Sequence, residues 1–177
     1  MSELSVQYPV GEFVLPQTLA PEQRLVALQQ LSELPSQLQS SLAGSTAQQI
    51  DCPIRPGAWS IRTLVHHICN SHIVAYSWMR LALTEEWPVV FAYDPDRMSN
   101  LADCALHPSI SLQLLDALHQ RWVAMFARLA EREWRERGYT HPETGRCILE
   151  QALVVYAWHS VHHLAQIRRC LVETGGE

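Results

Sequence analysis

The feature that most constrains the fold is the spacing of apolar residues. Over long stretches they recur every three or four positions, and with glycine scarce this repeat favours helices over strands. The clearest case is the last segment, LEQALVVYAWHSVHHLAQIRRCLVE from Leu149 to Glu173, which ends against Gly175 and Gly176. At 177 residues and 47% hydrophobic composition the chain fits a single domain over residues 1–177 that can bury a substantial core.

Three further segments carry the same repeat. Pro21 occupies a favoured first helical position, and Leu25, Leu28 and Leu31 follow it. Pro35 is expected to interrupt or kink this helix, which resumes through Leu38 and Leu42 until Gly44. Ser60 can cap a second long helix running to about Glu85, with Ile61, Leu64, Val65, Ile68, Ala75 and Met79 as its stripe. A third starts near Pro108 and buries Leu115, Leu118, Trp122, Met125, Phe126 and Leu129. The expected architecture is therefore all-α: a four-helix bundle whose first helix is broken. Residues 1–19, with Pro9, Gly11 and Pro16, read as an extended arm docked on the body. Residues 87–108 form a long, proline-rich connection able to roof a site. PETG at 142–145 marks a small hairpin or tight turn.

Charge and cysteine usage remove several function classes. The net charge is −5, lysine is absent and the arginines are interspersed with acids, so no basic stripe offers itself to nucleic acid. Five cysteines, widely spaced and without a CxxC, suit neither a disulfide framework nor a thiolate zinc knot, and fit a reducing cytoplasm. The N-terminal residues do not resemble an export signal, and no apolar run reaches transmembrane length, so no membrane partner is expected.

Nine histidines remain to be sorted by helical face. His159 and His163 are one turn apart and share a face with Ala152, Val155, Tyr156, Gln166 and Cys170, so their rings can converge on one ion. His162 lies on the flank of that face. In the cluster HHICNSH, His66 falls on the side of Arg62, Asn70, Ser77 and Arg80, a solvated face. His67 shares an edge with Leu64, Ser71 and Trp78, and His72 lies near the centre of the apolar stripe. Either His67 or His72 can join the pair, His72 also as a group supporting a ligand. His107, His119 and His141 have no ligand-like neighbours and read as structural or exposed.

Runs spread along nearly the whole chain resemble the DinB-like superfamily, and within it the YfiT-like metal-dependent hydrolases, a group that includes bacillithiol S-transferase-type enzymes. They are YPVGEF, GAWSIRTLVHHICNSH, YSWMRLALTE, the pair Tyr93 and Asp94, LHQRW, YTHPETG and WHSVHHLAQI. The resemblance implies a bundle in which His67, His159 and His163 bind one divalent ion per chain, zinc or nickel, and it implies a homodimer. Asn70 stands where such relatives carry Asp, which removes a carboxylate able to steady a ligand histidine.

Three neutral imidazoles leave an ion its double charge and open positions, the pattern of catalytic zinc sites. Such a site can acidify water for hydrolysis, or a low-molecular-weight thiol for transfer to an electrophile. A non-catalytic metal-binding bundle is the third possibility. No HExxH glutamate accompanies the pair, which speaks against a protease. Asp94, inside the matching pair of residues, is the favoured acid–base group. Asp96 and Glu150 are expected on the solvated surface. Tyr156 and Gln166 could orient a water, although packing suits Tyr156 equally, and Cys170 fills core.

Overall fold

Four amphipathic helices bury their apolar faces against one another in the computed structural model, which describes residues 7–175. They are α1 (Pro21–Leu42), α3 (Ile61–Thr84), α5 (Ser109–Phe126) and α7 (Leu149–Thr174). Short elements fill the connections: α2 (Ala47–Ile50), α4 (Pro95–Ser99), a 3₁₀ turn at Ala102–Ala105, α6 (Glu131–Glu136), and the strands β1 (Gly138–His141) and β2 (Gly145–Ile148). Helices α1 and α3 each pack on both α5 and α7. Thus α1 and α3 face each other across a diagonal of the bundle, although they are consecutive long helices in the chain. No helix among the described residues is long and apolar enough to cross a membrane.

Local chemistry accounts for the boundaries. The Ser60 hydroxyl accepts the Thr63 N–H at 3.2 Å, capping α3 where the sequence places its start. The Gln23 side chain reaches back to the Ala20 N–H at 2.8 Å before α1. The strands pair antiparallel, with His141 opposite Gly145, and Gly145 turns the chain at φ +80°. Gly138 is needed for a different reason: a Cβ there would lie 2.3 Å from the Cys147 carbonyl oxygen. The long 85–108 connection is tied to this hairpin, since Val90 N–H bonds Thr140 O at 3.0 Å and Thr140 N–H bonds Pro88 O at 2.8 Å.

The expected break at Pro35 does not occur, and α1 runs through it as one helix. Proline removes the N–H that would bond the Leu31 carbonyl and crowds that carbonyl outward. Here His119 Nδ1 on α5 donates to it instead. Leu31, Leu34 and Leu38, each no more than 1% exposed, hold the helix against its neighbours on both sides of the proline. Tertiary packing and one replacement hydrogen bond thus override the local preference.

The core falls into two apolar halves. One gathers Leu31, Ala75, Met79, Trp122, Phe126, Leu153 and Tyr156, and the other Leu34, Leu38, Ile61, Ile68, Leu115, Leu164 and Ile167. His72, His119 and His159 occupy the levels between these sets on α3, α5 and α7, so a polar layer crosses the bundle.

Glu150 is not on the solvated surface but 3% exposed, ion-paired at 2.7 Å with Arg24, which also bonds Glu131. A helix wheel cannot reveal this pairing because the partner comes from α1, over a hundred residues away. Glu150→Ala should lower the unfolding free energy by about 2 kcal/mol, because Arg24 keeps only its exposed partner. Urea unfolding of the variant measures this, and an unchanged midpoint would contradict it.

Candidate metal centre

The inward face of α7 and the flank of α3 bring His67, His159 and His163 together. One ring nitrogen from each lies within 4.8 Å of the other two. His67 Nε2 and His159 Nε2 are 3.2 Å apart. Two nitrogens bound at about 2.0–2.1 Å to one tetrahedral ion would stand about 3.3–3.4 Å from each other, so this spacing suits shared ligation. His67 packs against Trp59 with ring centroids 4.7 Å apart. Trp59 is presented by a tight loop in which Ile54 N–H bonds Trp59 O at 2.9 Å.

Hydrogen bonds on the far side of two rings select the nitrogen each offers. His163 Nδ1 lies 2.8 Å from Gln166 Oε1, while Gln166 Nε2 donates to the Gln7 carbonyl at 3.0 Å. That carbonyl accepts only from the amide nitrogen, so Gln166 Oε1 faces His163 and takes its Nδ1 proton. Nε2 of His163 is left as a lone pair. The arm thereby reaches the site, and it also docks Phe13 on Trp158 and Tyr8 near His162. Residues 1–6 of the expected arm lie outside the described residues. His159 Nδ1 is engaged by His72 Nε2 at 3.0 Å, which again leaves Nε2 toward the cluster.

Burial keeps these rings neutral. It lowers His67 to about 4 and His163 to about 3, and it holds His159 well below the usual histidine range. A neutral imidazole is the form that binds metal, and three of them gathered within 4.8 Å of one another fit a divalent ion. Beside His163 opens a cavity of about 300 Å³, lined also by Arg55, Trp59, Leu64, Asp96 and Gln166.

The other expected site residues are distributed as follows. Asp94 is not in the ligand group: its Oδ1 accepts the N–H groups of Asp96 and Arg97, both at 3.0 Å, and caps α4. Asp96 is exposed, as expected, and from α4 it also lines the cavity. His66 is buried, against expectation. Its Nε2 donates to Leu106 O at 3.0 Å and its Nδ1 accepts from Ser111 at 2.8 Å, since the loop before α5 covers that flank of α3. Asn70 points to Cys104, with its amide 3.8 Å from the sulfur, so this side chain is not directed at a ligand histidine. Tyr156 packs edge-on against His72 at 5.5 Å, and Cys170 lies near Pro53 in the core. His119, read as structural or exposed, is structural: it is 1% exposed and bonds His72. Its position on the wheel of α5, between Leu115 and Trp122, was the one available signal.

Burial also lowers His119, to about 4. A histidine with a depressed folded pKa binds its proton first in the unfolded chain, so it favours folding above about pH 6.5 and this contribution is lost as pH falls toward 4. Metal-free protein should therefore lose stability as the pH drops below about 6.5, with His119 alone contributing about 1.4 kcal/mol per pH unit. Urea titrations from pH 7.5 to 4.5 measure the slope, and a flat profile would contradict neutral burial.

Comparison with known proteins agrees with this geometry. Residues 30–167 match the model of the DinB superfamily. A Bacillus subtilis (strain 168) protein named "Putative metal-dependent hydrolase YfiT" is 40% identical over 169 residues, covering 94% of each chain. A relative from Bacillus cereus (strain B4264) with the same description is 37% identical over 162 residues, covering 92% of this chain and 93% of its own. The solved structure of YfiT from Bacillus subtilis, described as "a probable metal-dependent hydrolase with an unusual four-helix bundle topology", superposes with a TM-score of 0.92 at 38% identity, over 98% of this chain and 99% of that one. The bundle with its diagonal α1–α3 connection, the three-histidine cluster and matches of this extent lead to one assignment: the chain belongs to the DinB superfamily, in its YfiT-like branch.

Proposed function

We propose that this protein is a metal-dependent hydrolase in which His67, His159 and His163 hold one divalent ion, zinc or nickel, and activate water toward a small-molecule substrate. The observation that carries the reading is the convergence of three neutral imidazoles beside an open cavity. The names of the relatives support the same reaction class. An ion bound there would act as a Lewis acid and leave positions for substrate or water. The chain's own residues supply the rest. Gln166 and His72 fix the orientation of two ligand rings. Trp59 shields His67 from solvent and offers an aromatic wall to a substrate. Asp96 is the cavity's carboxylate, placed to accept or return a proton.

One observation favours a second reading. The ligand group consists of histidines alone, with no carboxylate among them to act as a base. A thiol needs only deprotonation to become a nucleophile, so the same site suits transfer of a low-molecular-weight thiol to an electrophile. A homodimer that binds neither nucleic acid nor membrane belongs to the same proposal, and light scattering measures its mass.

Replacing His67, His159 or His163 by alanine should each reduce metal content from about one ion per chain toward zero, as read by elemental analysis. Full occupancy in His67→Ala would move the third ligand elsewhere. Zinc- or nickel-loaded protein is then tested on ester, amide and phosphoester substrates, with and without a thiol plus haloarene. Turnover found only with thiol would replace hydrolysis by S-transfer, and none in either set, with metal retained, would leave a binding module. Asp96→Asn should lower kcat by about 100-fold or more without changing metal content. Asp94→Asn, which preserves an N-cap, should retain activity; a comparable loss there would make Asp94 the acid–base group.

A further inference from the structure

A single hydrogen-bonded chain runs from a backbone carbonyl on α1 to the ligand His159. Pro35 deprives Leu31 of its helical donor, and His119 Nδ1 fills that place at 2.5 Å. His119 Nε2 is 2.9 Å from His72 Nδ1, and His72 Nε2 is 3.0 Å from His159 Nδ1. His72 and His119 are at most 1% exposed, so water cannot serve as a substitute partner.

The carbonyl decides every proton position in the chain. It only accepts, so His119 carries its proton on Nδ1 and presents a lone pair at Nε2. His72 must then donate through Nδ1 and accept through Nε2, and His159 must donate through Nδ1. A neutral His159 is left with its lone pair on Nε2, the nitrogen that faces His67. Burial, which holds all three rings below the ordinary histidine range, keeps the order from being scrambled by an extra proton. The opposite order would set a lone pair of His119 against the lone pairs of Leu31 O.

We propose that His119 and His72 are positioning residues that transmit the polarity of the Leu31 carbonyl, uncovered by Pro35, to His159 and so commit it to the tautomer that binds metal through Nε2. The assignment of His159 as a ligand rests on the proposed function, but the tautomer order is a property of the chain itself. Aligned donors in a dry interior also polarise one another, which makes the terminal imidazole a stronger donor to an ion. Gln166 and Gln7 perform the same selection on His163 with one amide. Among the described residues, His67 has no comparable chain behind it. It is therefore the ligand whose tautomer can change when an ion arrives.

Two readouts test this. In metal-free wild-type protein labelled with ¹⁵N-histidine at pH 7.5, long-range ¹H–¹⁵N spectra should show His119, His72 and His159 protonated on Nδ1. An Nε2–H form at His159 or His72 would overturn the chain. Second, His119→Leu removes the acceptor, while His119→Gln keeps one donor and one acceptor. Zinc affinity should fall about 10- to 100-fold in His119→Leu, with His159 shifting to mixed tautomers, and return to within a few-fold in His119→Gln. Unchanged affinity and tautomer in a folded His119→Leu would overturn the proposal. If that variant does not fold, the wild-type spectra and the Gln variant decide. If wild-type protein binds no metal but shows the expected tautomers, the metal reading fails and the ordered chain stands.

Discussion

Three histidines stacked between two apolar cores impose the strictest condition on this bundle. A buried ring nitrogen without a partner costs about 1–3 kcal/mol, so a layer of them is tolerable only if every donor finds an acceptor. Each ring in the layer passes the requirement to the next, and the sequence of demands ends at two places. One is the carbonyl of Leu31, free to accept because Pro35 follows it one turn later. The other is the nitrogen His159 turns toward the cluster. The proline that should have broken α1 is what gives the layer its terminus, and the packing of Leu34 and Leu38 holds the helix continuous through it.

The elements around the bundle complete the site from outside. The arm contributes the Gln7 carbonyl that orients Gln166, the 51–60 loop contributes Trp59, and α4 brings Asp96 to the cavity. None belongs to the four long helices. The division makes physical sense, since helix faces fix the ligands to a common point with little freedom while connections set what can approach them. The diagonal placement of α1 and α3 has its own consequence. It puts α3, which carries His67 and His72, between α5 with His119 and α7 with His159 and His163, so the five rings adjoin one another.

Much of this was legible in the sequence. The three-and-four repeat located the starts of the long helices to within about a residue, although the third ends at Phe126, short of the expected Leu129; Ser60 announced its cap, and the i, i+4 spacing of His159 and His163 placed both on the inward face of α7. Those features depend on residues near one another along the chain, where helical geometry alone decides which side chains meet. The choice between His67 and His72 was different. Both lay inward, and only the packing of α3 between α5 and α7 sent one to the cluster and the other behind His159.

What the sequence determined by itself was the set of helices, the inward pair and, through its resemblance, the family. Tertiary structure alone decided the fates of the residues whose partners come from far away. Glu150 was drawn inside by Arg24, His66 was covered by the loop before α5, and Asp94 caps the start of α4 while Asp96 lines the cavity. His119 gained its role only when α5 was laid against Pro35. Periodicity records which side of a helix is apolar, but a hydrogen bond needs both partners in place, and the second partner is known only after the chain has folded.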